Sequence, residues 1–420
     1  MTMKTHVYGM SHPGMKREKN EDYFLINKDI GLYIICDGVG GHQSGQVASE
    51  QCAKAIEEYL FNKKQIIENY NKNPSVNDRK IVSSLLEHAV QYANTKINDL
   101  TESDVLIKKM CTTVVVLLVT QDYAFVAHVG DSRAYLIRSN TIHQLTEDHK
   151  VLVQMKKQGL LTDEQIHNHP NAHTLTRAVG VQNYVQVDLF EMELMNKDQF
   201  VLCTDGLTDN IKTPEILGFF DKSELSTLPQ ALINLSNARG GHDNITTIAL
   251  CVETKELAPE ALNALRKTQL FGKVPLFRYL NYPELIKVLN IAKVESYSAN
   301  HMLFEEGAVG NKMFIILNGK VQVVKSGQVI SKRDRGEVIG EMALFDNAKR
   351  SAAIKCSELT SFLVVSKDDL FPFLKYEKDI AVKILWALTL ELMQRLRKTS
   401  EELAETKTDI PFLNIELENK

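Results

Sequence analysis

The chain has 420 residues, 44% hydrophobic and 24% charged, which suffices for two or three domains with sizeable cores. Its formal net charge of −4 creates no broad positive field, so no nucleic acid and no membrane is expected among its partners. The six cysteines form no C-x-x-C pair and read as small core residues in a reducing compartment; residues 1–14 hold no apolar secretion segment, and the longest aliphatic run, residues 114–119, is far too short to span a bilayer, so a cytoplasmic location is expected.

The first predicted element is a buried strand, Leu32-Tyr33-Ile34-Ile35-Cys36. Residues 46–60 and 81–100 carry apolar side chains at helical spacing, and the polar, proline-bearing stretch 69–77 between them reads as a loop. Three strands rich in β-branched and aromatic residues follow, at 112–119, 123–128 and 134–137, the last two joined by a turn holding Gly130-Asp131-Ser132. Residues 145–180 read as irregular, with a short helical piece at 151–158. Phe200-Val201-Leu202-Cys203 and residues 245–252 predict further buried strands. Strands flanked by amphipathic helices predict layers, with helices covering the sheet faces.

The charged stretch after residue 252 reads as a linker, and beyond residue 270 the pattern changes to short strands with tight turns over 302–365. Phe314-Ile315-Ile316-Leu317 and Val321-Gln322-Val323-Val324, separated by Asn318-Gly319, predict a hairpin with a type I′ turn, because Asn and Gly tolerate positive φ. Ser326-Gly327 marks another turn, and the whole predicts a small antiparallel barrel or jelly roll. Ile380, Ile384, Leu388, Leu392 and Leu396 recur every four residues and predict a closing amphipathic helix.

Acidic residues fall at the predicted strand ends. Asp37-Gly38 and Asp205-Gly206 each follow a strand, Asp243-Asn244 precedes one, Asp131 sits in a turn, and Glu21-Asp22 precedes an apolar run. Gathered at one sheet edge, such carboxylates repel one another unless cations offset them. Oxygen-only donors suit Mg²⁺ or Mn²⁺ rather than zinc, and glycine after an aspartate lets a backbone carbonyl approach a metal. Two such metals lower the pKa of a bridging water and aim it at phosphorus; the sequence has no C-x5-R or G-x-S-x-G nucleophile motif. Arg17, just before the acidic pair, offers a guanidinium fork for a phosphate. Any single Asp-Gly is more often an ordinary turn, so the ensemble carries the argument.

In chain order, Arg17-x-x-Asn20-Glu21-Asp22, Asp37-Gly38-Val39-Gly40-Gly41-His42, Val129-Gly130-Asp131-Ser132-Arg133-Ala134, Leu145-Thr146-x-Asp148-His149, Leu175-Thr176-Arg177-Ala178-Val179-Gly180, Thr204-Asp205-Gly206-Leu207 and Asp243-Asn244 resemble the motifs of bacterial metal-dependent protein phosphatases of the PPM, or 2C, type. The resemblance spans residues 5–252. It implies an α+β fold, an αββα sandwich of two central sheets flanked by helices, and hydrolysis of phosphoserine and phosphothreonine in proteins. It also implies a metal set: Asp37 bridging two ions with the Gly38 carbonyl on one, Asp205 and Asp243 completing the other, Glu21 and Asp22 nearby through water, and Asp131 helping to hold a third, weaker ion. Arg17 would bind the substrate phosphate, so Arg17, Asp37, Asp205 and Asp243 form the expected catalytic set. His42 stays open between a general acid and a structural loop residue. Cys111 departs from the family pattern, standing where a glycine often precedes the Thr112-Thr113 pair.

The second cluster is Gly340-Glu341-Met342-Ala343-Leu344 followed by Arg350-Ser351-Ala352. A short helix starting near Gly340 would offer backbone N–H groups to an anion, Arg350 would neutralise a phosphodiester, and Glu341 would accept from a sugar hydroxyl. Each half alone is more often a capped turn. The spacing resembles the phosphate-binding cassette of cyclic-nucleotide-binding domains, over residues 270–403. That resemblance implies a β jelly roll with flanking helices, with Glu341 on the ribose 2′-hydroxyl, Arg350 on the cyclic phosphate, and Ser351 and the backbone of Gly340 and Met342 assisting. Cyclic AMP is favoured over cyclic GMP. The expected organisation is a phosphatase domain at 5–252, a linker at 253–269, a nucleotide domain at 270–403 and a tail at 404–420. Expected partners are phosphorylated proteins, a serine/threonine kinase or its targets, the nucleotide and, as an alternative, a second copy of the chain. Two other readings are weighed beside regulated catalysis: a catalytically silent scaffold, and a nucleotide domain serving only dimerisation.

Overall fold

The computed structural model describes residues 3–40, 44–103, 110–157, 160–162, 165, 171, 173–220, 224–254, 271–272, 274–344 and 349–408. His42, residue 158 of the expected short helical piece, most of the expected linker (255–269) and the end of the expected tail (409–420) lie outside the described residues. The chain falls into two compact units, 1–261 and 262–420.

The first unit is built from β1 (Lys4–His12), β2 (Asp22–Asn27), β3 (Leu32–Val39), α1 (Ser44–Asn62), α2 (Lys64–Lys72), α3 (Val76–Ser103), β4 (Cys111–Thr112), β5 (Val114–Val119), β6 (Tyr123–Val129), β7 (Arg133–Arg138), β8 (Thr141–Gln144), α4 (Val151–Lys157), β9 (Asp188–Glu193), β10 (Gln199–Cys203), α5 (Asp205–Thr208), α6 (Thr213–Phe220), α7 (Leu228–Ala238) and β11 (Ile245–Glu253). One sheet runs β1-β11-β10-β7-β8, the other β2-β3-β5-β6-β9 with β4 on β3. The central strands are apolar on both faces because both faces are covered. Leu32, Ile34 and Cys36 of β3 and Val114, Val116 and Leu118 of β5 pack in the cluster that α1 and α3 complete with Ile56, Leu86 and Val90. Their neighbours Tyr33, Ile35, Val115 and Leu117 are equally buried and point the other way. There the Tyr33 hydroxyl donates to Thr5 Oγ1 on β1 of the opposite sheet at 2.8 Å, so the sheets lie face to face. On the far side Tyr135, Val201, Cys203 and Ala249 pack against Ile216, Leu228 and Leu232 of α6 and α7. The result is the expected αββα sandwich.

Local differences have local causes. The stretch 69–77 is not a loop throughout: Ile67 and Tyr70 are buried one turn apart on α2, and only residues 73–75 separate α2 from α3. The strand expected at 112–119 breaks at Thr113: its N–H bonds the carbonyl of Asp37, opposite it in register, at 2.8 Å, but the Asp37 N–H turns to the Thr113 hydroxyl at 3.1 Å. β1, β8 and β9 are outer strands of mixed polarity, and their periodicity is too weak to reveal them.

The second unit begins with a 3-10 turn (Pro275–Phe277) and α8 (Tyr282–Ile291), started by an Asn281/Glu284 capping box. It continues with β12 (Lys293–Tyr297), β13 (Met302–Phe304), β14 (Lys312–Asn318), β15 (Val321–Lys325), β16 (Gln328–Arg333), β17 (Val338–Ile339), a 3-10 turn (Glu341–Leu344), β18 (Ala353–Cys356), β19 (Thr360–Ser366), α9 (Lys367–Tyr376) and α10 (Lys378–Thr408). Two four-stranded antiparallel sheets, β12-β19-β14-β17 and β13-β18-β15-β16, enclose Phe314, Ile316, Val321, Ile354 and Phe362.

The hairpin predicted around Asn318-Gly319 is therefore not formed, because β14 and β15 lie in different sheets. Only Gly319 has positive φ (93°), so the turn is not type I′; a Cβ there would lie 2.7 Å from the Leu359 carbonyl oxygen, so glycine serves a close crossing between sheets. The I′-like turn is the next one, Ser326 (φ 50°) and Gly327 (φ 77°), closing the β15–β16 hairpin at the Lys325/Gln328 pair. On α10 the four-residue series is buried at Ile380 and Ile384 and half-buried at Leu388, but Leu392 and Leu396 are exposed, because the core of this unit ends at Leu388. No helix among the described residues is long and apolar enough to cross a membrane.

Candidate functional site

The strand ends gather the expected acidic residues. Asp22 on β2 lies opposite Asp37 on β3 in the ladder. Asp205 opens α5 directly after β10, and Asp243 precedes β11. Close backbone approach needs two glycines: a Cβ on Gly38 would lie 2.0 Å from the Gly45 oxygen, and one on Gly206 would lie 2.0 Å from the Asn244 oxygen. Asp37 is clamped from its own backbone, its carbonyl accepting from Thr112 Oγ1 at 2.8 Å and its N–H donating to Thr113 Oγ1 at 3.1 Å. Thr113 also meets Ser132 Oγ at 2.8 Å, tying the Asp131 turn to the Asp37 strand.

The electrostatics are those of a crowded acidic cavity. Burial, and then the charges of Asp22, Asp205, Asp131 and Asp243, push Asp37 well above the usual carboxylate range. Burial and Asp131 do the same to Asp205, with Lys150 partly offsetting them. Burial raises Asp22 to about 7, opposed by hydrogen bonds from Thr246 Oγ1 at 2.7 Å and Thr204 Oγ1 at 2.9 Å to its Oδ2. Its Oδ1 is buried without a partner. Carboxylates raised by mutual repulsion, an orphaned buried oxygen and an all-oxygen donor set fit hard divalent cations of the Mg²⁺ or Mn²⁺ kind. Arg17 reaches the same cluster, its Nη2 donating to Asp243 Oδ2 at 2.9 Å across a half-exposed pair.

Further side chains in or beside this site were given no role from the sequence, although Asn244 and His149 stand within the motifs quoted above. Asn244 accepts from the Glu21 N–H at 2.8 Å and donates to the Pro13 and Lys19 carbonyls at 3.0 and 2.8 Å, fastening the segment that carries Arg17 and Glu21. Lys150 Nζ lies 2.7 Å from Asp131 Oδ2 and 3.8 Å from Asp205 Oδ2. It directly follows the Asp148-His149 pair of a family-like segment, the one signal that could have drawn attention to it. His149 stacks on His128 with centroids 4.7 Å apart, accepts from the Gly130 N–H at 3.0 Å and faces Asp188 at 3.3 Å. Cys111 is half-buried and its thiol touches the Val39 carbonyl.

In the second unit Gly340, Glu341, Arg350 and Ser351 line one cavity of 620 Å³, closed on another side by Leu388 and Glu391 of α10. The expected short helix is a single 3-10 turn, Glu341–Leu344, which includes the Met342 backbone. Arg350 is 8% exposed, stacks 4.1 Å over the Phe304 ring and donates to the Lys312 and Gly340 carbonyls at 2.7 and 3.1 Å. Burial lowers its pKa, and its Nε is buried without a partner. Gly340, at φ 74°, leaves room for it, since a Cβ there would lie 2.1 Å from Nη1. A buried, partly unsatisfied guanidinium on the wall of a cavity this size suits an anionic small molecule.

Comparison with known proteins adds independent findings. Residues 11–154 match the protein phosphatase 2C family, and residues 294–377 match the cyclic nucleotide-binding domain. The chain is 33% identical to the serine/threonine phosphatase stp of Listeria welshimeri over 247 residues, 58% of this chain and 94% of that one. The structure of the Mycobacterium tuberculosis serine/threonine phosphatase PstP/Ppp superposes with a TM-score of 0.53 at 27% identity, covering 59% of this chain and 99% of the other. The catalytic domain of serine threonine protein phosphatase PstP in complex with two manganese ions superposes with a TM-score of 0.51 at 26% identity, covering 60% of this chain and all of that domain.

Proposed function

This chain belongs to the protein phosphatase 2C family of metal-dependent serine/threonine protein phosphatases and carries a cyclic nucleotide-binding domain; we propose that nucleotide bound in that domain sets the rate at which the carboxylate cluster dephosphorylates proteins. The observation that carries the catalytic reading is the convergence of Asp37, Asp205, Asp243, Asp22 and Asp131 from separate strand ends and turns onto one partly buried, mutually repelling cluster beside Arg17.

In this reading Asp37, the Gly38 carbonyl, Asp205 and Asp243 would hold the divalent cations, with Glu21 and Asp22 beside them. Two such cations, when bound, supply a water acidic enough to attack phosphorus at neutral pH. The protein's part is to hold the carboxylates in place before substrate arrives. Thr112 and Thr113 fix Asp37, Thr204 and Thr246 fix Asp22, and Asn244 fixes the Arg17 segment. Arg17, half-exposed beside Asp243, is free to exchange that carboxylate for the non-bridging oxygens of a phosphoryl group and orient it. Phosphoproteins written by a serine/threonine kinase are the substrate class.

In the nucleotide domain Arg350 takes the cyclic phosphate and Glu341 the ribose hydroxyl, with cyclic AMP favoured over cyclic GMP. Leu388 and Glu391 bring α10 into the cavity wall, so a ligand there touches the helix as well as the sheets, which supports α10 as the element that responds. The test is hydrolysis of a phosphothreonine peptide with Mn²⁺, with and without cyclic AMP. Metal-dependent turnover that shifts with cyclic AMP is expected; turnover indifferent to saturating nucleotide would separate the two domains. An Asp205→Asn chain as active as the parent would leave only the scaffold reading.

A further inference from the structure

We propose that the Lys150 ammonium is a built-in cation of the catalytic cluster, filling the place between Asp131 and Asp205 so that this chain takes no third divalent metal there. The proposal rests on the reading of the cluster as a metal centre given above. Nζ stands 2.7 Å from Asp131 Oδ2 and 3.8 Å from Asp205 Oδ2, and the side chains are 11%, 5% and 14% exposed respectively. A divalent ion on those same oxygens would sit within a few ångströms of a fixed positive charge in a poorly hydrated pocket. It could bind only by driving the ammonium out of its site, and a buried charge without its partner is costly.

The backbone on either side of Lys150 is tied down, so this is not a loose surface side chain that has drifted inward. His149 N–H donates to the Gly130 carbonyl at 2.9 Å, and its ring Nδ1 accepts from the Gly130 N–H at 3.0 Å, so the residue before Lys150 is bonded twice to the residue before Asp131. Lys150 itself bridges Leu175, flanked by Val151 N–H to the Thr174 carbonyl at 3.0 Å and Thr176 N–H to the His149 carbonyl at 2.7 Å. Asp131 is fixed from its other side by the Ser132–Thr113 hydroxyl pair. Arg17 is the useful contrast: it too pairs with a carboxylate of the cluster, but at 55% exposure it can swing to a substrate. Lys150 cannot do so without breaking a buried pair. The arrangement gives the site one monovalent charge that is always present, where a third metal would come and go with its concentration.

The experiment counts Mn²⁺ bound per full-length chain, by calorimetry and by the loss of free-Mn²⁺ electron spin resonance signal, for the parent, Lys150→Ser, Asp131→Asn and Asp37→Asn, each checked for folding by circular dichroism. Lys150→Ser should gain one Mn²⁺ over the parent, in a weaker site, and Asp131→Asn should bind the same number as the parent. A folded Lys150→Ser chain that gains none overturns the proposal. So does an Asp131→Asn chain that loses one Mn²⁺, a result that stands even where the lysine variant folds poorly. Asp37→Asn separates the two layers of the argument. If it loses Mn²⁺ while Asp131→Asn also loses one, only the role of Lys150 falls; if it loses none, the metal-centre reading falls and takes this one with it.

Discussion

At the scale of single residues, what distinguishes the site is how few of its carboxylates stand without support. Asn244 holds the Pro13–Glu21 segment through three hydrogen bonds. Asn244→Ala should weaken Mn²⁺ binding or kcat/KM by about 10–100-fold, as losses of supporting partners around metal ligands do, while leaving the melting temperature within a few degrees of the parent. Beside the cluster, His128 offers a pH test. Burial lowers its pKa to about 4, with the neighbouring His149 adding to the effect, whereas the unfolded residue titrates near the ordinary value of 6.5. Between those values the unfolded chain binds the extra proton. The stability contributed is therefore full above about 6.5 and is lost as the pH falls toward 4, by about 3 kcal/mol at most. Urea unfolding across that window should show this slope, and His128→Gln should flatten it. The residues of the candidate site were legible from sequence, since Asp-Gly at strand ends and an arginine before Glu-Asp are local patterns. Lys150 was not, because nothing in its neighbours in the chain says that its side chain ends between two aspartates.

At the scale of elements, hydrophobic period identified the central buried strands and the helices α1, α3, α4 and α10, and it left α2 and α5 to α9 unread. α2 was hidden inside a polar stretch because only Ile67 and Tyr70 of its nine residues are buried. The Asn318-Gly319 dipeptide has the composition of a hairpin turn, but β14 and β15 pair with other strands, and the dihedral pattern expected there appears at Ser326-Gly327. α10 is amphipathic as expected over its first half. Ile384→Ala, removing a fully buried side chain from the cluster that joins α8, α9 and α10, should destabilise the second unit by about 2–5 kcal/mol in chemical denaturation. Leu396→Ala, at an exposed position of the same series, should change it by less than about 0.5 kcal/mol.

At the scale of the whole molecule, two units with separate cores should each unfold in a transition raised chiefly by the ligand of that unit. A ligand that binds only the folded state stabilises it by about 2.7 kcal/mol at one hundred times its Kd. Calorimetric scans should show Mn²⁺ raising one transition and cyclic AMP the other, with Arg350→Ala abolishing the second shift and leaving the first intact. Loss of both shifts in that variant would mean that the units do not unfold independently. The sequence by itself determined the chemical inventory and its order along the chain: two sets of motifs, oxygen donors at strand ends, an arginine in each candidate site, and alternation strong enough to announce a layered unit followed by a small antiparallel one. These are local properties, written within a few residues of one another. Only the tertiary structure decided which strands pair, which sheet each joins, and that Lys150, Thr204 and Thr246 meet carboxylates carried by other segments of the chain, because strand register and side-chain convergence depend on partners that local periodicity does not specify.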